Sequence, residues 1–252
     1  MLFRSQAGSD LQSFDSLEFA SVPVSVHERD ITDLILNTNR GISVTGRVIY
    51  QGTPLRAHAE PFRLIATVPD LSNTPFDAHF AEMHAGDVDE SGTFSFRAMP
   101  GRILFRIVGL PPPWALKSVT LDGEDITDVP LDTGNFKEIA GLEVVVYNRQ
   151  PRLTGYARTA AGEIVKNYKV AVFPIQKDGA VPMRFMYTTG PDQTGRFQIG
   201  RLPAGEYLGV ATQPFEQWFE WDPEFQKKVK PGAKRFQLID GETMTIDLPY
   251  VE

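Results

Sequence analysis

Asp89-Glu90-Ser91-Gly92-Thr93-Phe94-Ser95-Phe96, followed by Met99-Pro100-Gly101, decides the fold, because it occurs twice. The second copy is Asp192-Gln193-Thr194-Gly195-Arg196-Phe197-Gln198-Ile199, followed by Leu202-Pro203-Ala204-Gly205. A motif that returns at a domain-sized spacing implies two copies of one supersecondary unit. Its residue types have a physical logic. The side chains of Asp89 and Asp192 can accept bonds from amides two or three residues on. Gly92 and Gly195 supply a positive φ at little steric cost. Phe94 and Phe197 are then the first inward residues of the outgoing strands, and the Pro-Gly or Pro-Ala-Gly permits reversal into the next strand.

Working outward, short apolar segments alternate with period two, the mark of half-buried strands. In the first unit they are Ser43 to Tyr50 (Val44, Gly46 and Val48 on one face), then Phe62, Leu64, Ala66 and Val68. The Phe94 strand follows, then Ile103, Phe105 and Ile107, Lys117 to Leu121, and Leu142 to Tyr147. Gly52-Thr53-Pro54 reads as a turn and residues 69–80 as a loop. The second unit opens with Leu153-Thr154-Gly155, which corresponds to Val44-Thr45-Gly46. Tyr168, Val170 and Val172 follow, then Phe197 and Ile199, Leu208 and Val210, Phe236 and Leu238. Met244, Ile246 and Leu248 face inward in the last strand, with Thr243, Thr245 and Asp247 toward water. One helix is expected near 222–229: Asp222 caps, Pro223 suits the first position, Glu224 favours the positive end, and Pro231-Gly232 stops it.

The expected fold class is all-β, as tandem Greek-key β-sandwiches. The expected domains are 41–150, 151–252 and, in residues 1–40, the last strands of a truncated preceding repeat. Asp30-Ile31-Thr32-Asp33 recurs as Asp125-Ile126-Thr127-Asp128, which motivates that third assignment. Met1-Leu2-Phe3-Arg4-Ser5 matches what the end of a common short-read sequencing adapter would encode, so the reading frame is expected to open on an artefactual start.

Composition narrows the function. A net charge of −7 disfavours nucleic acid as a partner. The basic run Lys227, Lys228, Lys230, Lys234 and Arg235 reads as a solvated segment. The absence of cysteine excludes disulfides and thiolate metal sites. No run approaches the ~20 apolar residues that span a bilayer.

The Thr-Gly opening, the Asp-x-x-Gly-x-Phe turn and the following Pro-Gly resemble the carboxypeptidase regulatory-like domain, over about residues 15–250. Gly109-Leu110-Pro111-Pro112, Lys117-Ser118-Val119, Asp125-Ile126-Thr127-Asp128 and Asp222-Pro223-Glu224-Phe225 are similar to tandem copies in large exported bacterial proteins. The resemblance implies a prealbumin-like sandwich, grouped with starch-binding-like folds. It also implies export, with the signal peptide lost by truncation, and a non-catalytic role as folding support, spacer or binding module. No cofactor is implied. Partners would be carbohydrate or other domains of the same protein.

Candidate sites follow from residue chemistry. Phe215, Trp218, Phe219, Trp221 and Phe225 form an aromatic stretch on which sugar rings can stack, or a hydrophobic cap on the second sandwich. Trp114, after three prolines, is either a further platform or a loop anchor. Asp87-Val88-Asp89-Glu90-Ser91-Gly92 resembles the start of a calcium loop, but the position of its bidentate acid falls on Ala98. His79-Phe80-Ala81-Glu82-Met83-His84 contains His-x-x-Glu, but no histidine follows to complete a zinc site. No Gly-x-Ser-x-Gly elbow is present. Neither first strand carries the lysine of an isopeptide cross-link. The reading is therefore a non-enzyme with no metal, the alternatives being a carbohydrate-binding module or an accessory to an upstream catalytic domain.

Overall fold

The structure is a computed structural model, and it describes residues 18, 24, 30–32, 34–38, 40–52, 62–69, 85–175 and 183–251. The His79, Glu82 and His84 motif, nearly all of the 69–80 loop, Thr53-Pro54 and most of residues 1–40 lie outside the described residues. The chain is all-β and divides into two compact units, one of residues 1–111 and 116–146, the other of 112–115 and 147–252.

In the first unit, one sheet contains β1 (Ile42–Gln51), β4 (Thr93–Ala98), β6 (Ala115–Leu121), β7 (Glu124–Asp125) and β9 (Glu138–Tyr147), in the order β4-β1-β9-β6-β7. The other contains β2 (Arg63–Thr67), β3 (Ala85–Asp87), β5 (Arg102–Val108) and β8 (Leu131–Asp132), in the order β3-β2-β5-β8. The period-two reading holds along most of these strands. Val44, Phe94, Phe105, Val119, Leu142, Val144 and Val146 are all buried. β2 departs from it: Ile65 is buried beside Leu64, while Ala66 and Val68 are only half-buried.

In the second unit the strands are β10 (Arg152–Arg158), β11 (Ile164–Val165), β12 (Lys169–Pro174), β13 (Tyr187–Thr189), β14 (Arg196–Ile199), β15 (Gly205–Thr212), β16 (Lys234–Leu238), β17 (Thr243–Thr245) and β18 (Leu248–Val251). β14, β17 and β11 pair with β10; β13 pairs with β12, which pairs with β15, which pairs with β16. β18 joins the two groups, pairing with β10 through Leu248 and Pro249 and with β15 through Tyr250 and Val251.

The last strand is thus not one continuous rung but two pieces with a break at Ile246–Asp247. Asp247 is correspondingly not a plain solvent residue. Its carboxylate accepts from Tyr156 N (3.2 Å) and Arg158 Nε (2.5 Å), taking the place of ladder bonds at the break. The Arg158 guanidinium holds the Asp247 pKa below the usual carboxylate range.

β12 and β15 are apolar on both faces. Val170, Val172, Tyr207 and Ala211 face the interior formed with Leu153, Phe197 and Leu248. Ala171, Phe173 and Val210 face the other way, against Val229, Trp221, Phe215 and Phe225. The cover over that outer face is the connection from Gln213 to Ala233. It includes the short helix α1 (Pro223–Val229), capped by Asp222 Oδ1, which accepts from Glu224 N (2.7 Å) and Phe225 N (3.0 Å).

Candidate functional site

The paired turns are built from the same contacts. Asp89 Oδ1 accepts from Ser91 N and Thr93 N, both at 2.9 Å, and the Ser91 and Thr93 hydroxyls also donate to its carboxylate. Asp192 Oδ1 accepts from Thr194 N (2.8 Å), Thr194 Oγ1 (2.6 Å) and Arg196 N (3.0 Å). Gly92 and Gly195 have φ of +82° and +83°. Phe94 and Phe197 are buried, facing Gly46 and Gly155 in register. Bonds from the Thr93 and Ser91 side chains lower the Asp89 pKa to about 2.

The Thr-Gly opening has a cause invisible in local sequence. A Cβ on Gly46 would lie 2.0 Å from Leu142 O, and one on Gly155 would lie 1.8 Å from Ile246 O. In each unit a later backbone segment, β9 in the first and the break after β17 in the second, passes against the glycine at a distance that no side chain permits.

Both aspartates of the would-be calcium loop are engaged: Asp89 accepts from its own loop, and Asp87 Oδ1 lies 2.7 Å from Arg63 Nε. Among the described residues, no three acidic or histidine side chains gather where a metal could bind.

The aromatic stretch divides. Phe215, Trp221 and Phe225 are half-buried in the cover over β12 and β15, whereas Trp218 and Phe219 are 57% and 47% exposed. Phe215, Phe219 and Phe225 form a ring cluster with centroid separations of 4.9 to 6.2 Å. Lys169 Nζ donates to Phe215 O (3.0 Å) and sits 4.5 Å from its ring centroid. Lys230 Nζ lies 5.1 Å from the Phe173 ring centroid and donates to Gln226 Oε1 (2.6 Å). Burial lowers the Lys230 pKa. Within the basic run, Lys230 is therefore not simply solvated; its charge lies against the Phe173 ring of the sheet, while Lys227, Lys228, Lys234 and Arg235 are exposed. Glu220 is buried, with Oε2 lacking a hydrogen-bond partner among the described residues.

Trp218 occupies the left-handed region at φ +75°, ψ −5°. Beside it in sequence, Phe219 lines a cleft of about 440 Å³ with Phe215, Phe225, Asp222, Glu224 and Lys228. Trp114 is only 8% exposed, so it offers no open face for stacking. It follows a cis Pro112-Pro113 bond.

A second cleft, of about 550 Å³, lies by Arg158, Lys234, Asp247 and Tyr250. Its charges engage one another: Arg158 pairs with Asp247 and donates to Gly162 O (2.8 Å), and Lys234 Nζ donates to Asp247 O (3.3 Å). In the first unit, Asp125 accepts from Thr127 N (2.9 Å), and Arg106 donates to Thr127 O (2.6 Å) and Asp128 (3.2 Å). The Asp-Ile-Thr-Asp segment there is a structural turn. In its earlier copy, Asp30, Ile31 and Thr32 are exposed, and Asp33 lies outside the described residues.

No family model matches the chain, and no curated protein matches it. Solved structures give loose likenesses. The chain is similar to the Bacillus anthracis TIE protein at 13% identity and a TM-score of 0.26, covering 82% of this chain and 33% of that one. A streptococcal ancillary pilin is 12% identical at a TM-score of 0.31, over 86% of this chain and 65% of the pilin. The minor pilin of Streptococcus agalactiae is 12% identical at 0.28, over 84% and 97%. The chain thus spans about a third of the first of these and just under two thirds of the second. No helix among the described residues is long and apolar enough to cross a membrane.

Proposed function

We propose that this chain is a pair of non-catalytic β-sandwich modules, repeats of one carboxypeptidase regulatory-like unit, that space or support other parts of a larger exported bacterial protein. The observation that carries this reading is the matched set of contacts at Asp89–Gly92–Phe94–Gly46 and Asp192–Gly195–Phe197–Gly155. The recurrent residues are consumed in holding strands together, and none is left presenting chemistry. Produced separately, residues 41–146 and 147–252 are each expected to melt cooperatively. Failure of either to fold alone refutes the modular reading.

A second reading is favoured by Trp218. A bulky residue in the left-handed region costs about 1–3 kcal/mol and persists where its surroundings enforce it, often at functional sites. Here it displays an indole, and the next residue, Phe219, lines a cleft whose apolar lining is edged by Asp222, Glu224 and Lys228. Aromatic faces flanked by hydrogen-bonding groups suit a carbohydrate. A glycan array probed with the chain and with its Trp218→Ala and Phe219→Ala variants tests this. Binding that both variants retain ends the idea.

A further inference from the structure

β10 is the first long strand of the second unit and β17 and β18 are its last, yet they lie side by side. They also run parallel. Arg152, Leu153 and Thr154 pair with Thr243, Met244 and Thr245, and Ala157 and Arg158 pair with Leu248 and Pro249. Tyr250 and Val251 then pair, again in parallel, with Ala211 and Thr212 of β15.

Tension pulling the start of one strand and the end of its parallel neighbour in opposite directions acts along both. Every rung between them then carries load at once. An antiparallel pair drawn apart from adjacent ends opens rung by rung instead.

We propose that the second unit is a load-bearing module whose parallel seam, β10 with β17 and β18 and then β18 with β15, resists tension along the chain. The seam is reinforced where its ladder is interrupted. Ile246 N donates to Thr154 O (2.9 Å), and Asp247 accepts from Tyr156 N and Arg158 Nε. Gly155 admits the Ile246 carbonyl to a distance that any Cβ would forbid. At the entry end, Arg152 N donates to Glu242 O (2.8 Å). Because β18 is paired into both strand groups, withdrawing it has to break its bonds to each. The source of the load rests on the spacer reading, whereas the resistance itself does not.

The chain has no cysteine, so introduced thiols define the pulling direction. In the full chain, Gln150→Cys with Glu252→Cys loads the seam along its strands. Gln150→Cys with Gly200→Cys draws β10 and β14 apart from adjacent ends, since Leu153 pairs antiparallel with Ile199. Forced unfolding follows the rupture rate, so at one loading rate the first pair is expected to need at least about twice the force of the second. Asp247→Ala is expected to lower the first force and leave the second unchanged. Equal forces in the two directions overturn the proposal, as does a force along the seam that Asp247→Ala leaves intact. The separate melting of residues 41–146 and 147–252 tests the spacer reading on its own, so the two can fail independently.

Discussion

Gly155→Ala tests the strand contact on which the second unit closes. The added methyl would stand 1.8 Å from Ile246 O, 2.7 Å from Ile246 C and 3.3 Å from Phe197 Cε1. The nearest obstacle is backbone, so no rotamer change relieves it. The strands have to separate by more than an ångström, which lengthens the Ile246 N to Thr154 O bond (2.9 Å) and the Tyr156 N to Asp247 bond (3.2 Å) past useful range. Two bonds at about 1 kcal/mol each, with about 1–3 kcal/mol of packing strain, place the loss at about 3–5 kcal/mol. Trp218 and Trp221 belong to the second unit, whereas Trp114 directly precedes β6 of the first unit's sheet, so in a Trp114→Phe background tryptophan emission during urea unfolding reports the second unit alone. Gly200→Ala is the control: a Cβ there meets nothing within 4 Å, and its effect should stay within about 0.5 kcal/mol. Gly46→Ala should damage the first unit, visible by circular dichroism and silent in tryptophan emission. A Gly155→Ala midpoint within about 1 kcal/mol of the parent would refute the reasoning.

Asp222→Ala removes the acceptor for Glu224 N and Phe225 N, and should cost about 1 kcal/mol by urea titration followed through Trp221. Tyr168→Phe removes the hydroxyl that donates to Gly195 O (2.8 Å) and should cost about 1 kcal/mol; an unchanged midpoint would show that bond to be inert. In the same residue, burial raises the phenol pKa to about 12, so its ionisation in a spectroscopic titration should lag the ordinary value of 10.0 until the unit unfolds. Asp89 ionises in the folded chain below its ordinary 3.8, at about 2. Its contribution is therefore complete above the ordinary value and lost as pH falls toward the folded one. Asp89→Asn should flatten that acid slope in thermal melts of the first unit, and an unchanged slope would count against the turn's electrostatics.

The repeated turn and most strand faces were readable because their causes are local. An Asp bonding to nearby amides, a Gly at positive φ and period-two burial all sit within a few residues of one another, although each Asp reaches the second and fourth amides on, Thr93 N and Arg196 N at the far end, rather than the third. The helix near 222–229 was readable for the same reason, since Asp222, Pro223 and Glu224 act on their own first turn. What stayed hidden depends on distant partners. The Thr-Gly openings could be aligned but not explained, because the atoms that demand them are the carbonyls of Leu142 and Ile246. Asp247 looked like a solvent residue because its partners Tyr156 and Arg158 lie far back in the chain. Alternation also misleads where both faces are covered. Val170-Ala171-Val172-Phe173 is a continuous buried run, and nothing nearby announces that the segment after Thr212 folds back over it. Of the aromatics, spacing left cap and platform both open; the fold half-buries Phe215, Trp221 and Phe225 and leaves Trp218 and Phe219 exposed.

That segment departs from the end of β15 and returns at the start of β16, and these strands are direct neighbours, with Gly209 opposite Lys234. A stretch of different length could be stitched in at this seam without changing strand register, provided that it still buries Ala171, Phe173 and Val210. The inner scaffold and the buried side of the cover can therefore stay constant while the outward residues of the segment, Trp218 among them, are exchanged. Resurfacing this module, by descent or by design, would begin there.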